Sequence, residues 1–161
     1  MEFGILSWGS AVPSRLKRIE KLQKKCIRNV AGKKTLSHTD PLFSTLKIIK
    51  FEDLFTYNCS NFMNKYSLDM VPASFKNIFP SLAAPNRTNG YILENAKYTQ
   101  LEQFPPHFLP KIWNKNSLYL KSITKHNRFK KELKKSIIEK YPHTAWCNNV
   151  MCEDCHPNYL T

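Results

Sequence analysis

The sequence predicts a mainly α-helical fold: a small helical domain with an irregular, proline-rich middle and a cysteine-rich tail. Three observations carry this reading. Apolar residues recur with helical period in two long segments near opposite ends of the chain. Between them, Pro72, Pro80, Pro85, Pro105, Pro106 and Pro110 interrupt any regular pattern. Cys147, Cys152 and Cys155 crowd the end. A chain of 161 residues has room for one domain with a real core. The predicted domain covers 1–141, with helices over 1–67, an irregular segment over 68–120 and a basic helix over 121–141. The tail is 142–161.

The clearest helix is Ser14 to Gly32, after a buried lead-in over residues 3–8. At 100° per residue, Leu16, Ile19, Leu22, Cys26, Ile27 and Val30 share one side. Lys17, Arg18, Lys21, Lys24, Lys25 and Arg28 take the other, with Glu20 the lone acid among them. Ser14 stands where an N-cap oxygen belongs, and Gly32 where a helix ends in the left-handed conformation. A basic turn, Lys33-Lys34, follows.

Asp40 and Pro41 predict the next start, with Asp40 as cap and Pro41 at the first helical position, for a helix of about two turns ending near Lys47. A longer helix over Phe51 to Tyr66 puts Phe51, Leu54, Phe55, Cys59, Phe62, Met63 and Tyr66 on a core face. Cys59 reads as a small buried hydrophobe, with no basic neighbour to make it a nucleophile. In the middle segment, Tyr91–Leu93 and Tyr98–Leu101 are candidate strands of a short β-hairpin. Trp113, in Lys111-Ile112-Trp113-Asn114, is the expected anchor of that segment. The last helix, Thr124 to Tyr141, carries Phe129, Leu133, Ile137 and Tyr141 at intervals of four, with Arg128, Lys131, Lys134 and Lys135 off that stripe.

Charge points to an anionic partner. There are 25 Lys and Arg against 12 Asp and Glu, a formal +13. The excess is uneven: 15–34 holds nine basic residues and 121–140 holds eight. No stretch approaches the roughly 18 apolar residues of a membrane span. The odd cysteine count does not suit a secreted disulfide framework, so the expected location is intracellular, in cytoplasm or nucleus. The sequons at Asn58 and Asn86 are then chance matches.

The chain has no phosphate-binding glycine loop, no nucleophile elbow and no His-Glu-x-x-His zinc motif. Glu52-Asp53 lie side by side on a helix and so point about 100° apart, a poor pair for two metal ions. Glu153-Asp154 fall in the tail. No catalytic residue and no small-molecule substrate are therefore expected. The one constellation with ligand chemistry is the tail, where Cys147, Cys152 and Cys155 are spaced C-x4-C-x2-C. His143 or His156 would complete four ligands for zinc.

Several blocks, in order, carry a family resemblance: FGILSWGSAVPSRLKRIEKLQKKCIRNVAG, HTDPLFSTLKIIKFEDLFTYNCSNFMNKY, VPASF, LPKIWN and FKKELKKSII. They resemble the region that follows the reverse transcriptase domain in animal non-LTR (LINE-like, jockey-related) retrotransposons. There the blocks read approximately YGIxxWG, LxxLQxxxIR, HTxPLFxxLxIL, a helix ending in FMYKY, LPxxF, GPxIWNxLP and FKxxLKxxL. The resemblance covers nearly the whole sequence. Leu109-Pro110 replaces the usual Gly-Pro, the later Leu-Pro is missing, and the upstream palm and fingers with their Asp-Asp motif are not in this sequence.

The resemblance implies a thumb-proximal segment of an RNA-directed DNA polymerase that contacts template RNA or an RNA–DNA hybrid and is no enzyme on its own. The start at Met-Glu beside the first block suggests a truncated copy of such an element. Phosphate contacts would fall to Lys17, Arg18, Lys21, Lys24, Lys25, Arg28, Lys33, Lys34, Arg128, Lys131, Lys134 and Lys135. Two alternatives stand beside it: a small zinc-stabilised adaptor for a protein partner, and a decayed remnant without function.

Overall fold

Seven α-helices carry the regular structure of the computed structural model, which describes residues 4–11, 13–35, 37–76, 78–79, 90–93, 98 and 103–141. They are α1 (Ile5–Trp8), α2 (Pro13–Val30), α3 (Asp40–Thr45), α4 (Phe51–Ser67), α5 (Pro105–Asn114), α6 (Leu118–Lys121) and α7 (His126–Ile138), with a 3₁₀ turn at Ala73–Phe75. The mainly helical class expected from periodicity is the class observed. No strand occurs among the described residues. Ile92 and Leu93 are irregular, and most of the second strand candidate lies outside the described set. None of the described helices is long and apolar enough to cross a membrane.

The chain divides into two compact units. One comprises residues 1–12 and 54–133, the other 13–53 and the chain from 134 on. In the first, the α4 face from Leu54 to Met63 is core: Leu54, Tyr57, Cys59 and Met63 are buried, joined by Ser60, Asn61 and Asn64. Trp113 packs at 5.9 Å on Phe129, both closed off from solvent. Tyr66, Phe79 and Tyr91 form a three-ring cluster with centroids 4.9, 5.7 and 6.3 Å apart, largely edge to face. Asn114 then fixes Tyr91: its Oδ1 accepts from the Tyr91 N–H at 3.0 Å and its Nδ2 donates to the Tyr91 carbonyl at 2.8 Å. Trp113 is thus the expected anchor, and Asn114 beside it supplies the grip on the irregular segment.

Gly9 in this unit has no room for a side chain. A Cβ there would strike the Phe55 ring and stand 2.5 Å from the Ile5 carbonyl oxygen.

In the second unit, Ile27, Phe43, Ile49, Phe51, Ile137 and Tyr141 are buried. Tyr141 donates its hydroxyl to Asp53 Oδ2 at 2.7 Å and accepts the Lys50 N–H at 2.9 Å. Lys50 Nζ lies 4.6 Å from the Tyr141 ring centroid and 3.0 Å from Asp40 Oδ1. Burial, then the Asp53 carboxylate, raise the Tyr141 phenol above its ordinary range, while the Lys50 N–H pulls the other way.

Several boundaries differ from the sequence reading. Helix α2 begins at Pro13, so Ser14 sits inside the first turn and is not the cap; the missing N–H of proline costs nothing there. Thr39, not Asp40, is the N-cap residue of α3, and Asp40 spends its carboxylate on Lys50. Helix α5 was not expected because three prolines mark it. Pro105 and Pro106 open it, where they favour a helix, and Pro110 is tolerated inside it, fully buried. Helix α7 is shorter than Thr124 to Tyr141 by two residues at its start and three at its end.

Three helices end alike. Gly32, Lys47 and Asp69 all adopt positive φ, at 62°, 53° and 55°. At each, the next residue's N–H returns to a carbonyl five residues back: Lys33 to Arg28, Ile48 to Phe43 and Met70 to Lys65. These are Schellman endings. Only the first carries the glycine that makes it legible in sequence.

Candidate nucleic-acid interface

The orientation of α2 decides which of its cations are available. Gln23, a polar residue on the apolar side of the helix between Ile19 and Ile27, turns inward. Its Nε2 donates to the Ile49 carbonyl at 2.9 Å, and its Oε1 accepts the Phe51 N–H at 2.7 Å. That N–H belongs to the first residue of α4 and has no partner within its own helix, so Gln23 acts as a cap from a distance. Together with buried Ile27, this contact turns one side of α2 against its unit.

Four expected phosphate ligands, Lys17, Arg18, Lys21 and Lys25, stand exposed on the rest of the helix. Lys17, Lys21 and Lys25 are four apart, a row rising about 6 Å per step. Lys24 is half-buried and paired with Glu20 one turn back. Arg28 departs further from the sequence reading. It is half-buried, and its Nε donates to the Ser37 carbonyl at 2.7 Å, so it fastens the connection to α3 as well as carrying charge. Lys33 and Lys34 are exposed but engaged in other interactions.

The apolar stripe is narrower than periodicity suggested. Leu16 and Ile19 are half-buried, whereas Leu22 is 53% and Val30 73% exposed, with Cys26 exposed between them. Periodicity places residues on a side of a helix, but only packing sets how wide the covered arc is.

On α7, Arg128, Lys131 and Lys135 fall on one face at steps of three and four, with Lys134 beside them, opposite buried Phe129, Leu133 and Ile137. Lys135 lies 3.8 Å from Glu139, and both are exposed. In the first unit, Arg128 and Lys131 also line a cleft of about 560 Å³ with Lys125, His126, Glu132 and Met70. Sequence reading passed over Lys125 and His126, since neither belongs to a motif. His126 Nδ1 is 2.8 Å from Oδ1 of buried Asn64. Burial first, then the charges of Lys65 and Lys130, hold its imidazole below the ordinary value of 6.5.

Asp53 of the weighed carboxylate pair is committed to Tyr141, while Glu52 is exposed. Cys59 is fully buried, and burial pushes its thiol up to about 12, as fits a packing residue. His143, Cys147, Cys152, Cys155 and His156 lie outside the described residues. Among the described residues no group of three or more His, Cys, Asp or Glu is placed to hold a metal ion.

No protein-family model, no curated protein and no solved structure matches the chain.

Proposed function

We propose that the chain is a non-catalytic, nucleic-acid-binding part of a retrotransposon reverse transcriptase, contacting the backbone of template RNA or an RNA–DNA hybrid. The observation that supports it best is the exposed row Lys17, Lys21 and Lys25 with Arg18, on a helix whose other side is tied down by Gln23 and Ile27. Side chains fixed in direction by a packed helix can follow a phosphate backbone without reading bases. The order of sequence blocks supports the family reading, and the +13 charge supports attraction to a phosphate backbone. Binding is sequence-blind and falls steeply with salt.

The test separates binding from folding. Changing Lys17, Lys21 and Lys25 together to Gln weakens binding of single-stranded RNA and reduces the slope of log affinity against log salt by about 2, at roughly 0.7 per phosphate contact. Helical circular dichroism stays constant, because all three residues are exposed. Arg28→Gln behaves differently and lowers thermal stability, because the Ser37 carbonyl loses its donor. Unchanged RNA affinity and slope in the triple variant would refute the reading.

A protein-binding adaptor is the second reading. It is favoured by the exposed row Leu22, Cys26 and Val30, four residues apart beside the cations. Binding of a protein that is insensitive to salt, with no RNA binding, would select it. Zinc in the tail is compatible with either function.

A further inference from the structure

We infer that the cleft at the start of α7 is a binding site for a phosphate group, made by Lys125, Arg128 and Lys131 with His126. This rests in part on the RNA-binding reading, but it places a discrete site in the first unit, apart from the row on α2.

The cleft is lined by three cations against a single carboxylate, Glu132. Lys125, Arg128 and Lys131 are exposed, and no ion pair engages them among the described residues. Their charges meet at the positive end of the α7 dipole. Arg128 offers the planar donor fork that suits phosphate oxygens, and the two lysines add charge. Met70, exposed just beyond the end of α4, forms an apolar part of the rim. Three cations against one carboxylate make the cleft too basic for a cationic ligand.

His126 makes the site responsive to protons. The Asn64 oxygen at Nδ1 can only accept, so the neutral ring carries its proton there and leaves a lone pair on Nε2. In that state the imidazole gives an anion no donor from Nε2. Once protonated it adds a donor and a positive charge. The groups that set this balance are Lys65 on α4, Lys130 on α7, and the lining Lys125, Arg128, Lys131 and Glu132. Anion binding and protonation of His126 therefore favour each other.

The test is an NMR titration of the full chain, following the His126 ring and the Arg128 side chain. One arm uses inorganic phosphate, the other a short single-stranded RNA with a 5′-hydroxyl, whose phosphates are all diesters. Either probe should shift both signals and raise the apparent His126 pKa. Binding of the RNA probe should tighten as pH falls through the His126 titration, since phosphodiesters do not change charge there. The variant Lys125→Gln, Arg128→Gln, Lys131→Gln should bind at least about tenfold more weakly, a factor equivalent to about 1.4 kcal/mol. All three residues are exposed, so the fold should persist, and single Arg128→Gln gives the same direction with less perturbation.

A response to phosphate alone assigns the site to a free phosphate or monoester. A response to RNA, with or without phosphate, assigns it to the backbone. No shift with either probe, or equal affinity in the triple variant, overturns the proposal. RNA binding that depends only on α2, with the cleft silent, would overturn it while sparing the reading above.

Discussion

Asn114 holds Tyr91 by both atoms of its amide, taking the N–H at 3.0 Å and giving a hydrogen to the carbonyl at 2.8 Å across 23 residues of sequence. A side chain here does what a neighbouring strand would do. The Tyr91 backbone is thereby satisfied in a segment without regular structure, and the Tyr91 ring is set against Tyr66 and Phe79.

Asn114→Ala should destabilise the chain by about 2 kcal/mol, because two groups of a buried residue lose their partners at once. Asn114→Asp should do no better, since a carboxylate cannot donate to the Tyr91 carbonyl. Urea unfolding checks both. The RNA affinity of the folded variants should match that of the parent chain.

Tyr141→Phe should cost about 1–2 kcal/mol, leaving the Lys50 N–H without its acceptor and Asp53 without its donor. It should also alter the response to alkali. The folded chain raises the Tyr141 phenol above the ordinary value of 10, so folding favours the protonated form. The resulting stability is complete below pH 10 and is lost as pH climbs toward the folded value. Tyr91 acts in the same sense, raised to about 12 by burial and by Tyr66. Stability measured from pH 9 to 11 should fall in the parent chain and fall less in Tyr141→Phe.

The helix endings give a paired test. Lys47→Gly should stabilise by about 0.5–1 kcal/mol, because a non-glycine residue at positive φ carries strain that glycine lacks. Gly32→Ala should lose about 1 kcal/mol from that strain alone, since nothing lies within 4 Å of the added carbon. Gly9→Ala should lose more, through its clash with the Ile5 carbonyl and Phe55. Thermal unfolding should rank the three in that order.

The tail gives a chemical prediction. If Cys147, Cys152 and Cys155 join His143 or His156 around zinc, the protein purified without chelator should carry close to one zinc per chain. Binding should release protons and weaken in acid. Cys152→Ser with Cys155→Ser should abolish the metal while leaving the helical circular dichroism unchanged. Absence of zinc, with all three thiols reacting freely, would remove the tail from the list of ligand sites.

The sequence by itself determined the helical class, because apolar residues at helical spacing have one stable arrangement, a buried stripe. Phe129, Leu133, Ile137 and Tyr141 show this, since all four are buried as their spacing implied. The left-handed ending at Gly32 was equally legible, because a residue type answers to a backbone conformation. Tertiary structure decided what local pattern cannot carry. Helix α5 hides behind prolines that read as breakers until Pro105 and Pro106 are seen in its first turn and Pro110 packed inside it. Arg28 looks like a member of a solvated basic face and Gln23 like a polar interruption of the apolar stripe, yet their partners are Ser37 and, for Gln23, Ile49 and Phe51, which lie elsewhere in the sequence. The cleft has the same origin. Lys125 and His126 belong to no motif, and they matter only because Asn64, 62 residues away, packs against the start of α7. Spacing encodes which residues share a helix face, whereas the contacts that fix how that face is used are made between distant parts of the chain.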